Sequence, residues 1–153
     1  MPNAITIRPA RTTDLTAVRA LLSGANLPLD GLEEQFGDGY AVAESGGAVI
    51  GAEGIETYDD TGLLRSAVVD PRWRGQGVGD ALTRDRLNWA RERGLREVYL
   101  LTTTAQDYFP RHGFERVMRT SAPEAVQRSR EFAEACPDSA ITMRLLLHPQ
   151  PVT

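Results

Sequence analysis

Residues 68–79, Val-Val-Asp-Pro-Arg-Trp-Arg-Gly-Gln-Gly-Val-Gly, constrain this chain more than any other stretch. Two β-branched residues run into Asp-Pro, which reads as extended backbone entering a turn. Glycines then recur at alternate positions, Gly75, Gly77 and Gly79. Val78, Leu82, Leu87 and Ala90 follow at helical spacing, and Gly94 stops that helix just past Arg91 and Arg93. A strand feeding such a turn leaves backbone N–H groups converging at the helix start. Missing Cβ atoms let an anion approach the backbone, and the helix dipole favours its charge. The arrangement suits a pyrophosphate.

Two familiar glycine patterns fail here on residues. A dinucleotide-binding turn wants Gly-x-Gly-x-x-Gly early in a βαβ unit, with an acidic residue about 20 positions later. This chain has Gly-x-Gly-x-Gly in mid-chain. A P-loop needs Gly-Lys-Ser/Thr, and all 17 basic residues here are Arg. That uniform usage reads as the coding bias of a GC-rich genome, although Arg also suits carboxylates and other oxyanions.

The rest of the chain supplies the frame. Residues 4–8 alternate in character and predict a first strand. Thr12, Thr13 and Asp14 offer capping oxygens ahead of Leu15, Val18, Leu21 and Leu22, an apolar helical face closed by Gly24 and Asn26. A short helix is expected near 32–36. Strands at 40–43 and 48–58 flank the turn Glu44-Ser45-Gly46-Gly47, and a further strand at 63–69 follows Asp59-Asp60-Thr61-Gly62. Gly51 and Gly54 predict a bulge or bend. Later come a strand at 98–101, a short helix at 104–111, a turn at Gly113-Phe114, a helix at 123–135 and a closing strand at 140–147. Strands dominate early and alternate with helices late, so the class is α+β (mixed α/β), one domain over residues 5–147.

Composition removes several functions. Hydrophobic residues make up 41% of the 153, enough for one core. A net charge of −4 argues against a nucleic-acid partner. The single Cys136 forms no intramolecular disulfide, and two His are too few for a zinc cluster, so no metal is expected. The N-terminus lacks signal-peptide character and no apolar run approaches the ~20 residues of a membrane span. A soluble, cytoplasmic protein with no membrane partner is the expectation.

Arg74-x-x-Gly77-x-Gly79, preceded by Val69-Asp70-Pro71 and followed by an amphipathic helix and Gly113-Phe114, resembles the signature of the GNAT superfamily of N-acetyltransferases. The resemblance covers about residues 5–147. It implies a six- or seven-stranded mixed sheet, flanked by helices, that splays open between the strands at 64–69 and 98–102. Acetyl-CoA, the co-substrate, would lie in that splay. Main-chain groups of Ala67, Val68 and Val69 would pair with its pantetheine arm. The amides of Arg74, Gly75, Gln76, Gly77, Val78, Gly79 and Asp80 would hold its pyrophosphate. The resemblance also implies a homodimer. Leu64-Arg65-Ser66, Tyr99-Leu100-Leu101-Thr102-Thr103-Thr104-Ala105 and Cys136-Pro137-x-Ser139-Ala140 look like the arsenic-resistance N-acetyltransferase branch. The Leu-Leu-Thr-Thr run and the tail around Cys136-Pro137 are also similar to the acetyltransferase domain of bacterial N-acetylglutamate synthases. Both branches imply a small amino-acid-like amine, an arsenical or a glutamate-like compound.

Acetyl transfer needs a neutral amine, a stabiliser for the carbonyl oxygen and a proton for the departing thiolate. Many superfamily members use a Tyr four residues before the Gly-Phe pair as the donor; here that residue is Phe109. Tyr108, about 100° away around an α-helix, is the candidate general acid, against a packing role, water, or a Thr among 102–104. Arg65 is expected to pair with a substrate carboxylate or oxyanion, and Ser66 to face the other way. Thr102 and Thr103 either touch the substrate or cap the next helix. Glu53 and Glu56, three apart on one strand, should face opposite sides unless Gly54 allows a bulge, with a surface position the plain expectation for each. His112 reads as a helix-end cation or solvated side chain, and Cys136 as a small buried residue. Two other functions stand beside the enzyme: a non-catalytic acyl-CoA sensor, favoured by Phe109, and acetylation of a protein N-terminus. Gly77→Glu, which puts a carboxylate in the cradle, is expected to abolish acetyl-CoA binding in calorimetry; unchanged affinity would remove the turn from the site.

Overall fold

Four strands pair antiparallel in chain order: β1 (Thr6–Pro9), β2 (Tyr40–Ser45), β3 (Ala48–Tyr58) and β4 (Thr61–Val69). Residues that accept left-handed backbone make the tight returns. Gly46 and Gly47 stand at φ +58° and +82° between β2 and β3, and Asp59 at +56° between β3 and β4. The chain then crosses through α3 (Val78–Glu92) to β5 (Glu97–Thr102), which runs parallel to β4. β6 (Glu115–Val117) and β7 (Ile141–Leu146) complete a seven-stranded mixed sheet in the order β1-β2-β3-β4-β5-β7-β6. The computed structural model describes residues 4–129, 132, 133 and 140–147. Cys136, Pro137 and Ser139, with residues 130, 131, 134 and 135 of the helix predicted at 123–135, lie outside the described residues; α4 (Glu124–Gln127) falls within them.

Helices cover both faces of the sheet. On one, α1 (Leu15–Gly24) and α2 (Leu32–Gln35) bring Val18, Leu22 and Leu32 onto Tyr40, Val42, Ala52 and Val68. On the other, Val78 and Leu82 of α3 meet Ala41, Ala43 and Ile50. The buried stripe of α3 is wider than its apolar spacing shows, because Thr83 and Arg86 lie in it too.

Two irregularities interrupt the sheet. β2 and β3 pair at Ala43↔Gly51 and next at Glu44↔Val49, a register shift beside Gly51, where a bulge or bend is expected. The second shapes the site. β3 and β4 pair at Ala52↔Val68 and next at Gly54↔Arg65, so Glu53 faces two residues of β4, Ser66 and Ala67. Ser66 takes φ +59°. This is a β-bulge, and it bends the strand that carries it. The bulge expected at Gly54 thus falls on the neighbouring strand. Gly54 answers a different need: a Cβ there would lie 2.4 Å from the ring of Tyr40, which is fully buried. β4 and β5 pair only at Thr61↔Glu97, Gly62↔Val98 and Leu63↔Tyr99. Beyond Leu63 they part, as a splayed sheet requires.

The segment 104–111 departs from its predicted helix. Thr102 Oγ1 accepts the Ala105 N–H at 2.9 Å, a turn follows, and only Phe109–His112 form a 3-10 turn. Pro110 is the reason, since inside an α-helix it removes a donor and clashes with the carbonyl four residues back. Phe109 enters the core against Phe114, ring centroids 5.6 Å apart. Tyr108, freed from helical geometry, lines the space between β4 and β5. Gly54→Ala is expected to cost about 1–3 kcal/mol by overpacking against Tyr40, read as a lower urea midpoint; an unmoved midpoint would show that the Tyr40 ring has room to shift.

Candidate active site

The parting of β4 and β5 opens a cleft of about 650 Å³. Ala67, Val68 and Val69 line it from β4, Thr102 and Thr103 from the end of β5, and Arg74 and Gly79 from the turn and first residues of α3. Arg65, Tyr108 and Glu53 line it as well. Gly75, Gln76 and Gly77 sit exposed on the adjoining turn, and the Val78 side chain is buried, so only its backbone is available there. Asp80 reaches the cleft through Tyr108, described below.

Two backbone features converge on this space. No side chain caps α3 at Gly77, which stands at φ +81°, and Gly75 stands at +80°. An uncapped helix start leaves N–H donors for a ligand, and glycine lets the turn adopt its shape without strain. The edge of β4 past Leu63 has no β5 partner. An unpaired strand edge running toward uncapped amides fits an extended arm that ends in a diphosphate.

Glu53 and Glu56 do face opposite sides, as a period of two requires, but neither is a surface carboxylate: they are 2% and 3% exposed. On the α3 side, Thr83 Oγ1 donates to Glu53 Oε1 at 2.8 Å, while Glu53 Oε2 has no hydrogen-bond partner. Burial pushes the Glu53 carboxyl up to about 8, against the opposing pull of the Thr83 hydrogen bond and the Arg86 charge. Thr83 Oγ1 lies 3.4 Å from Tyr108 Oη, which donates to Asp80 Oδ1 at 2.9 Å. His112 Nε2 is 3.1 Å from both of those oxygens. Burial foremost, with the Asp80 carboxylate adding to it, pushes the Tyr108 phenol up to about 12. Hydrogen bonds from Tyr108 and His112 hold Asp80 below the usual carboxylate range. His112 is not the solvated side chain expected: it ends the Phe109–His112 turn, and its side chain is largely buried in this cluster. The i, i+4 spacing of Tyr108 and His112 was its one sequence signal. Thr83 carried only its place between Leu82 and Leu87.

On the opposite side Arg65 is 3% exposed and heavily engaged. Its Nη1 donates to Glu56 Oε2 at 3.1 Å and to the Asp30 carbonyl at 2.5 Å, its Nη2 to the Pro28 carbonyl at 3.3 Å, and its Nε to Ser66 Oγ at 3.2 Å. Ser66 joins Arg65 rather than facing away, because the bulge breaks the alternation of β4. Arg65 thereby braces the loop after α1, whose Ala25, Asn26, Leu27 and Pro28 form one wall of the cleft. Thr102 spends its hydroxyl capping the Ala105 amide, while Thr103 is exposed at the cleft. Among the described residues, no His, Cys, Asp and Glu gather as a metal site, and no helix is long and apolar enough to cross a membrane.

Residues 37–116 match the acetyltransferase (GNAT) domain family. The chain is 31% identical to the amino-acid acetyltransferase of Mycobacterium tuberculosis over 139 residues, 85% of this chain and 76% of that one. Among solved structures, Rv2747 of Mycobacterium tuberculosis in complex with CoA superposes with a TM-score of 0.80 at 28% identity, over 94% of this chain and 99% of that chain. N-acetylglutamate synthase of Neisseria gonorrhoeae, complexed with coenzyme A and N-acetyl-glutamate, gives a TM-score of 0.81 at 21% identity, over 97% of this chain. The chain spans 36% of that synthase, and the likeness there speaks to the fold.

Glu53 makes a prediction about stability. Its carboxyl keeps a proton to about pH 8 when folded, against 4.5 for an unperturbed glutamate. The unfolded chain therefore binds fewer protons in that interval, and the contribution is complete below about pH 4.5 and lost as pH rises to about 8. Urea midpoints are expected to fall across this range in the native protein, and Glu53→Gln to flatten the fall; an equal slope in both would place Glu53 in a wetter setting.

Proposed function

The chain is an acetyl-CoA-dependent acetyltransferase of the GNAT family, and from that premise we propose that its acceptor is the amino group of a small amino-acid-like substrate, a glutamate-like compound before an arsenical. The observation that carries the reading is the single cleft on which an uncapped helix start, an unpaired strand edge and a protonated tyrosine converge. Similarity to an amino-acid acetyltransferase over most of the chain supports the acceptor class. The arsenical alternative rests on the Leu64-Arg65-Ser66 and Leu-Leu-Thr-Thr runs alone.

Bound acetyl-CoA supplies an activated thioester. The amides of Arg74, Gly75, Gln76, Gly77, Val78, Gly79 and Asp80 would hold its diphosphate, and main-chain groups of Ala67, Val68 and Val69 its pantetheine arm. N–H groups of the same strand edge would donate to the carbonyl oxygen as it gains charge, the kind of preorganised donor that favours acyl transfer. Tyr108 keeps its proton at neutral pH and lines the cleft, so it takes the donor role that Phe109 cannot. The acceptor would enter between the loop at 25–28 and Thr102 and Thr103. Arg65, a buried cation lining the cleft and already bonded to Glu56, would attract a substrate carboxylate. A homodimer and a cytoplasmic setting belong to the same reading.

The sensor reading leaned on Phe109, and Tyr108 in the cleft removes its support. CoA release from acetyl-CoA, measured with a panel of amino acids that includes L-glutamate, tests the proposal. Stimulated release by an amino acid is expected; tight acetyl-CoA binding without stimulation across the panel would restore the sensor. Tyr108→Phe is expected to lower kcat by about 100-fold, the usual scale for losing a general acid, with the KM for acetyl-CoA near its native value. Native turnover by this variant would remove Tyr108 from the chemistry.

A further inference from the structure

Tyr108 holds its proton in an awkward place for a donor. Its hydroxyl donates to Asp80 Oδ1 at 2.9 Å, so loss of the proton leaves a phenolate facing a carboxylate. Like charges that close repel strongly in a half-buried setting, and Asp80 already helps to keep the phenol protonated. Beside Asp80 alone, a tyrosine is a poor acid. One further group meets both oxygens: His112 Nε2 lies 3.1 Å from Tyr108 Oη and 3.1 Å from Asp80 Oδ1. Counting protons fixes the direction of these contacts. Asp80 is held below the usual carboxylate range, so its oxygens only accept. Tyr108 has one proton, and Asp80 receives it. Nε2 therefore meets an oxygen with no proton to offer and carries its own. The short turn Phe109–His112, which Pro110 imposes, brings the Tyr108 and His112 rings to 5.2 Å, and Gly113 ends it at φ +95°.

We propose that His112 is the positioning residue that makes Tyr108 a usable acid: its Nε2–H bridges the Tyr108 and Asp80 oxygens and turns onto the phenolate as Tyr108 releases its proton. The inference rests on Tyr108 as the proton donor in acetyl transfer. In that step the acceptor nitrogen forms a bond to the thioester carbon and the carbon–sulfur bond breaks. Sulfur leaves with its electron pair and takes the Tyr108 proton. The Tyr108 oxygen keeps the electron pair of its O–H bond and accepts a hydrogen bond from His112 in place of the one it gave to Asp80. Solvent then returns a proton past Asp80, whose side chain is 30% exposed. The acceptor enters as R–NH3⁺ and releases two protons to solvent, one of which makes good the Tyr108 proton. The products are amide, CoA thiol and one proton.

The other groups around Tyr108 leave this role to His112. From α3 come the Asp80 carboxylate and the Thr83 hydroxyl, 3.4 Å from Tyr108 Oη. From β3 comes the Glu53 carboxyl, which, like Asp80, favours the protonated phenol. Arg111, on the same turn as His112, has its guanidinium 5.6 Å from the Tyr108 ring centre and 3.5 Å from Asp80 Oδ2. Arg111 thus meets the ring and the outer carboxylate oxygen, while His112 meets the hydroxyl itself. The His112 side chain is 12% exposed, so its N–H faces these two oxygens with little competition from bulk water.

Two substitutions test the role. His112→Phe keeps a ring and removes the donor, whereas His112→Gln returns an N–H at a similar reach. With acetyl-CoA and the best acceptor of the amino-acid panel, His112→Phe should lower kcat by about 10-fold, part of a general acid contribution, with the KM for acetyl-CoA unchanged. His112→Gln should recover most of that loss. Independently of turnover, ¹⁹F NMR of substrate-free protein carrying 3-fluorotyrosine identifies Tyr108 as the signal missing from Tyr108→Phe. Its ionisation midpoint should stand higher in His112→Phe than in the native protein, because the donor favouring the phenolate is gone, and close to native in His112→Gln. Native kcat in His112→Phe, a loss that His112→Gln does not reduce, or an unmoved Tyr108 midpoint would each overturn the role of His112 and leave acetyl transfer standing. Native turnover by Tyr108→Phe would instead bring down the donor reading, and acetyl-CoA binding without amine-stimulated CoA release would bring down acetyl transfer itself.

Discussion

The left-handed backbone at Ser66 is the constraint on which the site depends. A non-glycine residue at φ +59° costs about 1–2 kcal/mol, and it persists because its neighbours hold it. Arg65 Nε donates to the Ser66 hydroxyl, which also lies 3.2 Å from Tyr40 Oη. Each such bond contributes about 1 kcal/mol, enough to offset the strain. The bulge so fixed bends β4 away from β5 after three paired positions. A regular β4 would continue its pairing with β5 and close the cleft.

The same bulge arranges two polar layers on either side of the β3–β4 pair. Beneath α1 and α2, the Arg65–Glu56 ion pair is almost completely removed from water and its hydrogen bonds reach the Pro28 and Asp30 carbonyls. A buried pair of this kind adds little net stability, but breaking it by removing one partner is costly. Its consequence is geometric: it sets the loop that walls the cleft. Beneath α3, Glu53, Thr83 and Tyr108 form the second layer, where low dielectric pushes both acidic groups upward. One layer positions a wall and the other holds protons, and the cleft lies between them.

The parts of this arrangement readable in sequence are those set by local rules. Gly75, Gly77 and Gly79 ahead of a helical apolar period mark the strand–turn–helix unit, because glycine tolerance and period act within a few residues. The splayed sheet came from resemblance to a family. The bulge did not show, because Ser66 carries no glycine signal and Gly54, which does, serves to admit the Tyr40 ring. Burial of Glu53 did not show either, since its partner Thr83 lies 30 residues away and only tertiary packing joins them. Tyr108 was a candidate but for the wrong geometry: Pro110, visible in the sequence, already forbade the helix that would have turned it aside. His112 does end a turn, but its burial did not show, because Asp80, which it meets, lies 32 residues away.

The most direct test of the account is to add acetyl-CoA to ¹⁵N-labelled protein and follow every backbone amide by NMR. The cleft between β4 and β5 as the acetyl-CoA site predicts the largest shifts at Ala67, Val68 and Val69 and at residues 74–80, joined by Tyr108 and Thr83. Saturating shifts confined to the surface groove beside Arg116–Thr120, with the turn at 74–80 unmoved, would contradict it.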